Sequence, residues 1–221
     1  MKKTFVVLGV AVWVTVLLGG TLFLAAGRVD LPFFWVTLLI WVGSTTTIGL
    51  IMDRDLMRER SQFGAEKSGR LLQVLGLPAV IAPFLIAGLD VGRYHWSDSV
   101  PNWAQLVGLG VTVIGFGLIT WSIQMNRFFA KAVRVQDDRG QRVVTGGPYR
   151  YVRHPGYCGF SLIFLASSIA LGSWLSILPS LGLTFFFVWR TAMEDEFLQA
   201  NLDGYAEYAE RVRHRLMPGV W

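Results

Sequence analysis

The sequence is poor in cysteine and in charge. Its 221 residues include one cysteine, which excludes an intrachain disulfide and a metal site built from several cysteines. Only 16% of the residues are charged, whereas a soluble domain usually has about a quarter. The hydrophobic residues, 53% of the chain, are gathered in long runs. This pattern indicates a membrane protein and excludes a disordered or collagen-like chain.

The apolar runs predict the transmembrane helices. A helix needs about 20 mostly apolar residues to cross a bilayer, and four such runs occupy 5–26, 31–52, 71–91 and 104–125. The first run also resembles a cleaved signal peptide, but its length and the runs that follow favour a retained helix. A fifth apolar region, 156–189, is too long for one span, and a Gly-Ser step near its middle predicts a tight turn. We therefore expect an all-α integral membrane protein with six transmembrane helices, the last two forming a hairpin.

The distribution of cations predicts the orientation. With the N-terminus in the cytoplasm and six spans, all of the 20 lysines and arginines except Arg28 and Arg93 fall on cytoplasmic segments, as the positive-inside rule requires. The net charge of +5 then needs no nucleic acid as a partner. We expect both termini in the cytoplasm, the lipid bilayer as a partner and a prokaryotic cytoplasmic membrane as the location, because the chain is compact and its loops are short.

The chain divides into two regions at residue 125. Residues 1–125 are expected to form four transmembrane helices with a cytoplasmic loop at 53–70, and residues 126–221 hold most of the groups that can carry chemistry. Glycines at 108, 110, 115 and 117 lie in an apolar run, without the strand and the acid of a nucleotide fingerprint. We expect them to allow close packing of helices.

A polar loop precedes the hairpin. Between Tyr149 and Tyr157 it contains two arginines, a histidine and three tyrosines, and a Pro-Gly step stiffens it at the membrane entry. One interpretation is a basic juxtamembrane loop with interfacial tyrosines, and the other is a set of ligand contacts around Arg153 and His154. The spacing of His154 and Cys158 would also fit a metal, but no further histidine or cysteine lies nearby, so we predict no metal site.

Acidic residues follow the last apolar run, against the local excess of cations. Arg190 comes directly after the run, and Glu194 lies four residues later on the same helix face, so the two can pair. Asp195 and Glu196 adjoin Glu194. These acids either end the span with a local ion pair or receive a cationic ligand, because ionisable groups at membrane depth are costly unless they are paired or functional.

Apolar residues and tyrosines recur along the C-terminal segment at helical spacing. The residues of this stripe are Leu202, Tyr205, Tyr208, Val212 and Leu216. The stripe predicts an amphipathic helix in the membrane interface. Alternatively, its tyrosines close over a bound ligand.

The two motifs and the hairpin between them resemble the isoprenylcysteine carboxyl methyltransferase family, with this chain as a prokaryotic member. The resemblance rests on segment 147–157, GPYRYVRHPGY, and on residues after the hairpin: Arg190, Glu194, Asp195, Leu198, Tyr205, Tyr208 and Val212. It covers about 126–221 and includes segments 126–129 and 215–221. Membrane phospholipid and thiol methyltransferases share similar motifs, as do some sterol reductases.

The resemblance implies a membrane methyltransferase that uses S-adenosylmethionine and lacks a Rossmann domain. The loop 126–156 and the C-terminal helix then form the cofactor pocket at the cytoplasmic face, and Arg153 holds the cofactor carboxylate. The acceptor is lipophilic or small and presents a carboxylate, a thiol or an amine. Arg190 and Glu194 are the implied catalytic residues. The implied cofactor-binding residues are Tyr149, Arg153, His154, Pro155, Tyr157, Gly159, Glu194, Glu196, Tyr205 and Tyr208.

Two other functions stay open. A membrane reductase that uses NADPH would share the C-terminal motif and need more cations in the pocket. A non-enzymatic carrier or assembly factor would line its spans with polar residues, of which Thr45, Thr46, Thr47 and Asp90 are the main ones. The family pattern often has two glutamates after the arginine, and here the second is Asp195. The sequence therefore leaves open which of the three acids at 194–196 meets the cofactor.

Overall fold

The computed structural model describes residues 3–62, 67–130 and 133–221. Within these residues the chain is helical and contains no strand, which confirms the predicted all-α class. Lys2 and Lys131, two of the cations assigned to the cytoplasm, and residues 63–66 of the predicted loop lie outside the described residues. In chain order the helices are α1 (Lys3–Ala26), α2 (Pro32–Ile51), α3 (Arg54–Gln62), α4 (Lys67–Leu89), α5 (Asn102–Met125), α6 (Pro155–Ala170), α7 (Ile177–Asn201) and α8 (Tyr205–Arg211).

Four of the described helices are long and apolar enough to cross a bilayer. They are α1, α2, the segment Gly76–Tyr94, which comprises most of α4 and its helical extension, and α5. Helix α6 is apolar but has 16 residues, so it is about 24 Å long, shorter than the ~30 Å hydrocarbon core. Helix α7 has 25 residues and carries charged side chains in its second half. The integral membrane fold is confirmed, and the count of six spans stays a prediction.

The predicted cytoplasmic loop contains helix α3. Asp53 caps this helix, because its Oδ1 accepts the N–H of Leu56 at 2.7 Å. Leu56 is buried, and Met57 packs against the same hydrophobic core. Arginine, glutamate, leucine and methionine also favour helix. The high charge of this segment therefore belongs to a short amphipathic helix rather than to a loop.

Aromatic packing holds α2, α4, α5 and α6 together. The indole of Trp41 meets the rings of Phe84 and Phe116 edge to face, with centroid distances of 5.1 and 5.2 Å. Phe164 of α6 is a third neighbour at 5.4 Å. The indole N–H donates to Ser167 Oγ at 3.0 Å, which gives the buried ring the polar partner that it needs.

Small residues bring α5 and α6 close together. A Cβ on Gly108 would lie 2.6 Å from the backbone nitrogen of Ala170, and a Cβ on Gly115 would lie 3.0 Å from the carbonyl oxygen of Gly159. Only residues without a side chain allow such an approach. The packing role expected for these glycines is confirmed at positions 108 and 115.

The hairpin turns at Gly172, which has a φ of +80°, as the Gly-Ser step predicted. Ser173 donates through its hydroxyl to the carboxylate of Asp90, and Ser176 donates to the carbonyl oxygen of Pro83 at 2.8 Å. Asp90, one of the polar residues that a carrier would need, therefore holds the turn in place. Because α6 starts at the polar loop and ends at this turn, the polar loop and the turn lie at opposite ends of the helix.

The cations near the two ends of the bundle follow the predicted division. Arg93 donates to the carbonyl oxygen of Leu24 at 2.9 Å, close to Arg28 at the end of α1. Near the polar loop, Arg60 donates to the carbonyl oxygen of Phe129 at 3.0 Å. Arg28 and Arg93 thus lie at the turn end, and the side of the membrane that each end faces stays a prediction.

Candidate functional site

The motif loop (147–154) and the tail (212–221) lie against each other. The backbone N–H groups of Arg153 and His154 donate to the tail carbonyl oxygens at positions 214 and 215, each at 2.9 Å. Both side chains are buried. The tail is therefore fastened to the segment that leads into α6.

Three tyrosines are buried between the motif loop and α8. The Tyr208 hydroxyl donates to the carbonyl oxygen of Tyr149 at 2.6 Å, and the rings of Tyr205 and Tyr208 meet edge to face at 5.5 Å. The Tyr149 hydroxyl accepts from Asn126 Nδ2 at 3.2 Å. Burial raises the pKa of all three hydroxyls above the usual range. They therefore stay protonated and serve as hydrogen-bond donors rather than as bases.

A buried carboxylate, Asp195, joins the motif loop, α7, α8 and the tail. Arg153 donates to both of its oxygens in a fork, at 2.7 and 2.8 Å, a strong geometry for a guanidinium and a carboxylate. Arg215 Nε donates at 2.9 Å and the Tyr205 hydroxyl at 3.1 Å. His154 Nε2 lies 3.2 Å away. We call Asp195 and these four partners the Asp195 cluster.

The partners of Asp195 keep it ionised. Burial alone would raise the pKa of its carboxyl, but the hydrogen bonds from His154, Arg153 and Arg215 outweigh burial and hold the pKa below its usual range. The carboxylate is therefore charged at neutral pH. Its hydrogen-bonding capacity is used inside the protein.

Arg153 is engaged on its other side as well. Its Nη1 donates to the carbonyl oxygens of Val212 at 2.7 Å and Arg213 at 3.1 Å. The resemblance assigned the cofactor carboxylate to this guanidinium. In the structure its partners are Asp195 and the tail, so Arg153 holds the tail onto the motif loop.

A second polar group lies at the base of the hairpin. The Tyr157 hydroxyl, on the first turn of α6, accepts from Arg190 Nε at 2.7 Å and donates to Glu194 Oε2 at 2.7 Å. Arg190 and Glu194 are half-buried and share a face of α7, as their spacing predicted, and the phenol of the facing helix links them. The Tyr157 ring stacks on Phe187 at 5.8 Å. We call Tyr157, Arg190 and Glu194 the Tyr157 triad.

Five of the predicted cofactor residues lie outside these two groups. Two of them, Tyr149 and Tyr208, form the buried tyrosine contact described above. Glu196 is exposed on another side of α7. Gly159 lies in the α5–α6 interface, where a Cβ would be 2.7 Å from Ile119 Cγ1. Pro155 is the first residue of α6, where its fixed φ favours the start of a helix.

Sequence reasoning missed the central position of Asp195. Gln199 Nε2 donates to Asp195 Oδ2 at 2.9 Å, and this spacing of four residues was visible in the sequence. The contact of Arg215 was not visible, because the tail reaches Asp195 only after the chain has turned at α8.

Two features adjoin these groups. Thr191 is fully buried, and its hydroxyl has no hydrogen-bond partner among the described residues. A cavity of about 260 Å³ lies beneath the tail and has a basic lining: Arg153, Arg213, His214, Arg215, Gly219, Val220 and Trp221. Because buried polar groups normally have partners, the Thr191 hydroxyl is a candidate contact for a polar group of a ligand. The cavity is a candidate contact for an anionic group, because three arginines line it.

Comparison with known proteins identifies relatives of this part of the chain. The profile of the phospholipid methyltransferase family matches residues 103–203. A protein-S-isoprenylcysteine O-methyltransferase of Schizosaccharomyces pombe is 35% identical over 92 residues, which are 41% of this chain and 39% of the relative. A probable protein-S-isoprenylcysteine O-methyltransferase of Oryza sativa is 32% identical over 113 residues, 50% of this chain and 59% of the relative. The cobalt-zinc-cadmium resistance protein CzcN of Cupriavidus metallidurans is 27% identical over 139 residues, 62% of this chain and 60% of the relative.

The chain thus spans between about two fifths and three fifths of the length of these relatives. Among solved structures, the eukaryotic intramembrane Ras methyltransferase ICMT (isoprenylcysteine carboxyl methyltransferase) aligns with a TM-score of 0.59, over 98% of this chain and 84% of that chain. The sequence identity is 18%, so this likeness concerns the fold. The Tyr157 triad lies inside the matched segment 103–203, whereas α3 and the tail lie outside it.

Proposed function

We propose that this chain, which belongs to the isoprenylcysteine carboxyl methyltransferase-like family of membrane proteins, is an integral membrane methyltransferase that uses S-adenosylmethionine. The Tyr157 triad carries the proposal, because it holds a guanidinium, a phenol and a carboxylate in one hydrogen-bonded chain at the base of the hairpin. The acceptor is lipophilic or small and presents a carboxylate, a thiol or an amine.

The triad, Thr191 and the basic cavity suit different groups of S-adenosylmethionine. Glu194 has a second carboxylate oxygen for the amine, and the faces of Tyr157 and Phe187 suit the adenine or the sulfonium. The buried hydroxyl of Thr191, which has no partner among the described residues, suits a polar group of the ligand. The basic cavity beneath the tail suits the cofactor carboxylate. Arg153 lines this cavity, but its guanidinium is already bound to Asp195.

When bound, S-adenosylmethionine supplies a methyl group on a positively charged sulfur, which keeps the bonding electron pair and leaves as a neutral thioether. The protein has to align the acceptor atom and exclude water, and alignment alone contributes up to about 7–11 kcal/mol. Tyr157 fixes Arg190 and Glu194 relative to each other, and Arg190 orients the acceptor. A carboxylate acceptor needs no proton removal, whereas a thiol or amine loses a proton, which Glu194 can take up.

We further propose that this site faces the cytoplasm of a prokaryotic cell. The described cations near the motif loop outnumber those at the turn end, where Arg28 and Arg93 lie, and positive charge favours the cytoplasmic side. Both termini of the chain then lie on that side as well.

Calorimetry on the purified chain in mild detergent tests the proposal. We expect the wild type to bind S-adenosylmethionine. Glu194→Gln should weaken binding by about tenfold or more, because it removes the charge opposite the amine. Glu196→Gln, an exposed position on the same helix, is the matched control and should change affinity less than about twofold.

The outcomes separate the candidate functions. The absence of binding heat with the wild type contradicts the proposal. NADPH should not compete with S-adenosylmethionine, and displacement by NADPH at similar concentration favours the reductase instead.

A further inference from the structure

Arg60, at the end of α3, brings a guanidinium to the start of α6. Its Nη1 donates to the carbonyl oxygen of Phe129 at 3.0 Å, and its Cζ lies 5.6 Å from the centre of the Phe129 ring. That ring lies against Gly156, where a Cβ would be 2.4 Å from the nearest ring atom. Tyr157 is the next residue, so Arg60 reaches the surroundings of the Tyr157 triad from outside the matched segment 103–203.

The charge of Arg60 has no acidic partner among the residues that the structure describes. By contrast, Arg153 pairs with Asp195, and Arg134 pairs with Glu59. Burial lowers the pKa of Arg60 to about 10, so the group remains charged at neutral pH, and Tyr157 lies near enough to influence that pKa. Arg60 is half-buried, and a cation that is partly removed from water without a counter-ion carries a cost. An anionic group of a ligand would remove that cost.

We propose that Arg60 is an acceptor-recognition residue, whose guanidinium binds an anionic group of the methyl acceptor beside Tyr157. This inference rests on the proposed methyltransferase function. The cofactor offers a cationic sulfonium and amine that suit Glu194 and the aromatic faces. The anion that Arg60 needs is therefore assigned to the acceptor, as a carboxylate or a phosphate.

The place of Arg60 in the fold agrees with an acceptor that comes from the bilayer. Helix α3 directly follows the predicted span α2, and its buried residue Leu56 fastens it to the hydrophobic core. Arg60 lies four residues after Leu56, on the same side of α3. The guanidinium is thus held where the apolar bundle meets the polar loop, which suits an acceptor with an apolar body and an acidic end.

Binding of matched amphiphiles tests the proposal without requiring turnover. The probes are an N-acetylated S-prenylcysteine with a free carboxylate, its neutral carboxamide, and a prenyl phosphate with the same prenyl chain. Their affinities are measured on the full chain in uncharged detergent with S-adenosylhomocysteine present. The variants are Arg60→Met and Arg60→Gln, which remove the charge, Arg60→Lys, which keeps it, and Arg54→Met, an exposed control on the same helix.

We expect the wild type to prefer at least one acidic probe over the carboxamide by about tenfold or more. The preferred acid identifies the anionic group as carboxylate or phosphate. Arg60→Met and Arg60→Gln should lose the preference, whereas Arg60→Lys and Arg54→Met should keep it. S-adenosylmethionine affinity should stay within about twofold in all four variants, which also shows that they fold.

A wild type without preference for either acid, or an unchanged preference in both charge-removing variants, overturns the assignment of Arg60. The proposed methyltransferase function fails separately, if the wild type does not bind S-adenosylmethionine.

Discussion

Three adjacent acids on α7 have three different environments. Glu194 accepts from Tyr157, Asp195 lies buried in the Asp195 cluster, and Glu196 is exposed. Successive residues on a helix point about 100° apart, so neighbours in sequence meet different partners. We infer that Glu194 meets the ligands, whereas Asp195 is a positioning residue that keeps the motif loop and the tail together.

Asp195→Asn should destabilise the protein strongly. It removes the charge opposite Arg153 and Arg215, and breaking a buried ion pair costs about 3–5 kcal/mol. Thermal unfolding in detergent measures the loss, and limited proteolysis reports release of the tail. Glu196→Gln is the control and should stay within about 0.5 kcal/mol of the wild type. Equal stability of the two variants would refute the role of Asp195.

The same carboxylate predicts a pH dependence. Its folded pKa lies below the unfolded value of about 3.9, so its stabilisation is complete above that pH and is lost as the pH falls through the folded pKa. The stability difference between wild type and Asp195→Asn should therefore not decrease as the pH falls from about 8 to 5. Denaturant unfolding at several pH values measures it, and a difference that shrinks toward pH 5 would count against the low folded pKa.

At the scale of the element, the pairing of α5 with α6 sets the position of Tyr157. The close approach at Gly108 and Gly115 fixes α6 along its length, and the Tyr157 triad is built where α6 begins. Gly159, which the resemblance placed at the cofactor, lies in this same interface. A change in this packing therefore acts on the site without touching a ligand.

Gly108→Ala should disturb the helix pair. Its Cβ would come within 2.6 Å of backbone atoms of α6, and overpacking of this kind costs about 1–3 kcal/mol. Gly110→Ala is the control on the same helix, because a Cβ there meets nothing within 4 Å, and helix propensity alone would make it neutral or stabilising by up to about 1 kcal/mol. Thermal unfolding compares the two variants. Similar stabilities would mean that α5 and α6 are not packed this closely.

At the scale of the whole molecule, the features that could be predicted from the sequence are those that depend on apolar runs and on turn residues. The bilayer sets the length of an apolar run, so the long spans were visible, and Gly172 marked the hairpin turn. Helix α3 was missed because its charge resembled a loop. The Asp195 cluster and the position of Arg60 were missed because they depend on how distant segments meet, which neither periodicity nor spacing contains.

The predicted orientation concerns the molecule as a whole. Replacing Cys158 by serine leaves a chain without cysteine, into which single cysteines are placed at the exposed positions Arg28 and Arg211. A membrane-impermeant thiol reagent should label position 28 from the outside of intact cells and position 211 only in inverted vesicles. The opposite pattern would place the Tyr157 triad on the outer side.

Transfer of a labelled methyl group from S-adenosylmethionine to a membrane extract, with the purified chain as catalyst, tests the central claim most directly. The account predicts transfer by the wild type and by Glu196→Gln, and a loss of about tenfold or more in Tyr157→Phe and Glu194→Gln. No transfer by the wild type, or equal transfer by all four proteins, would contradict it.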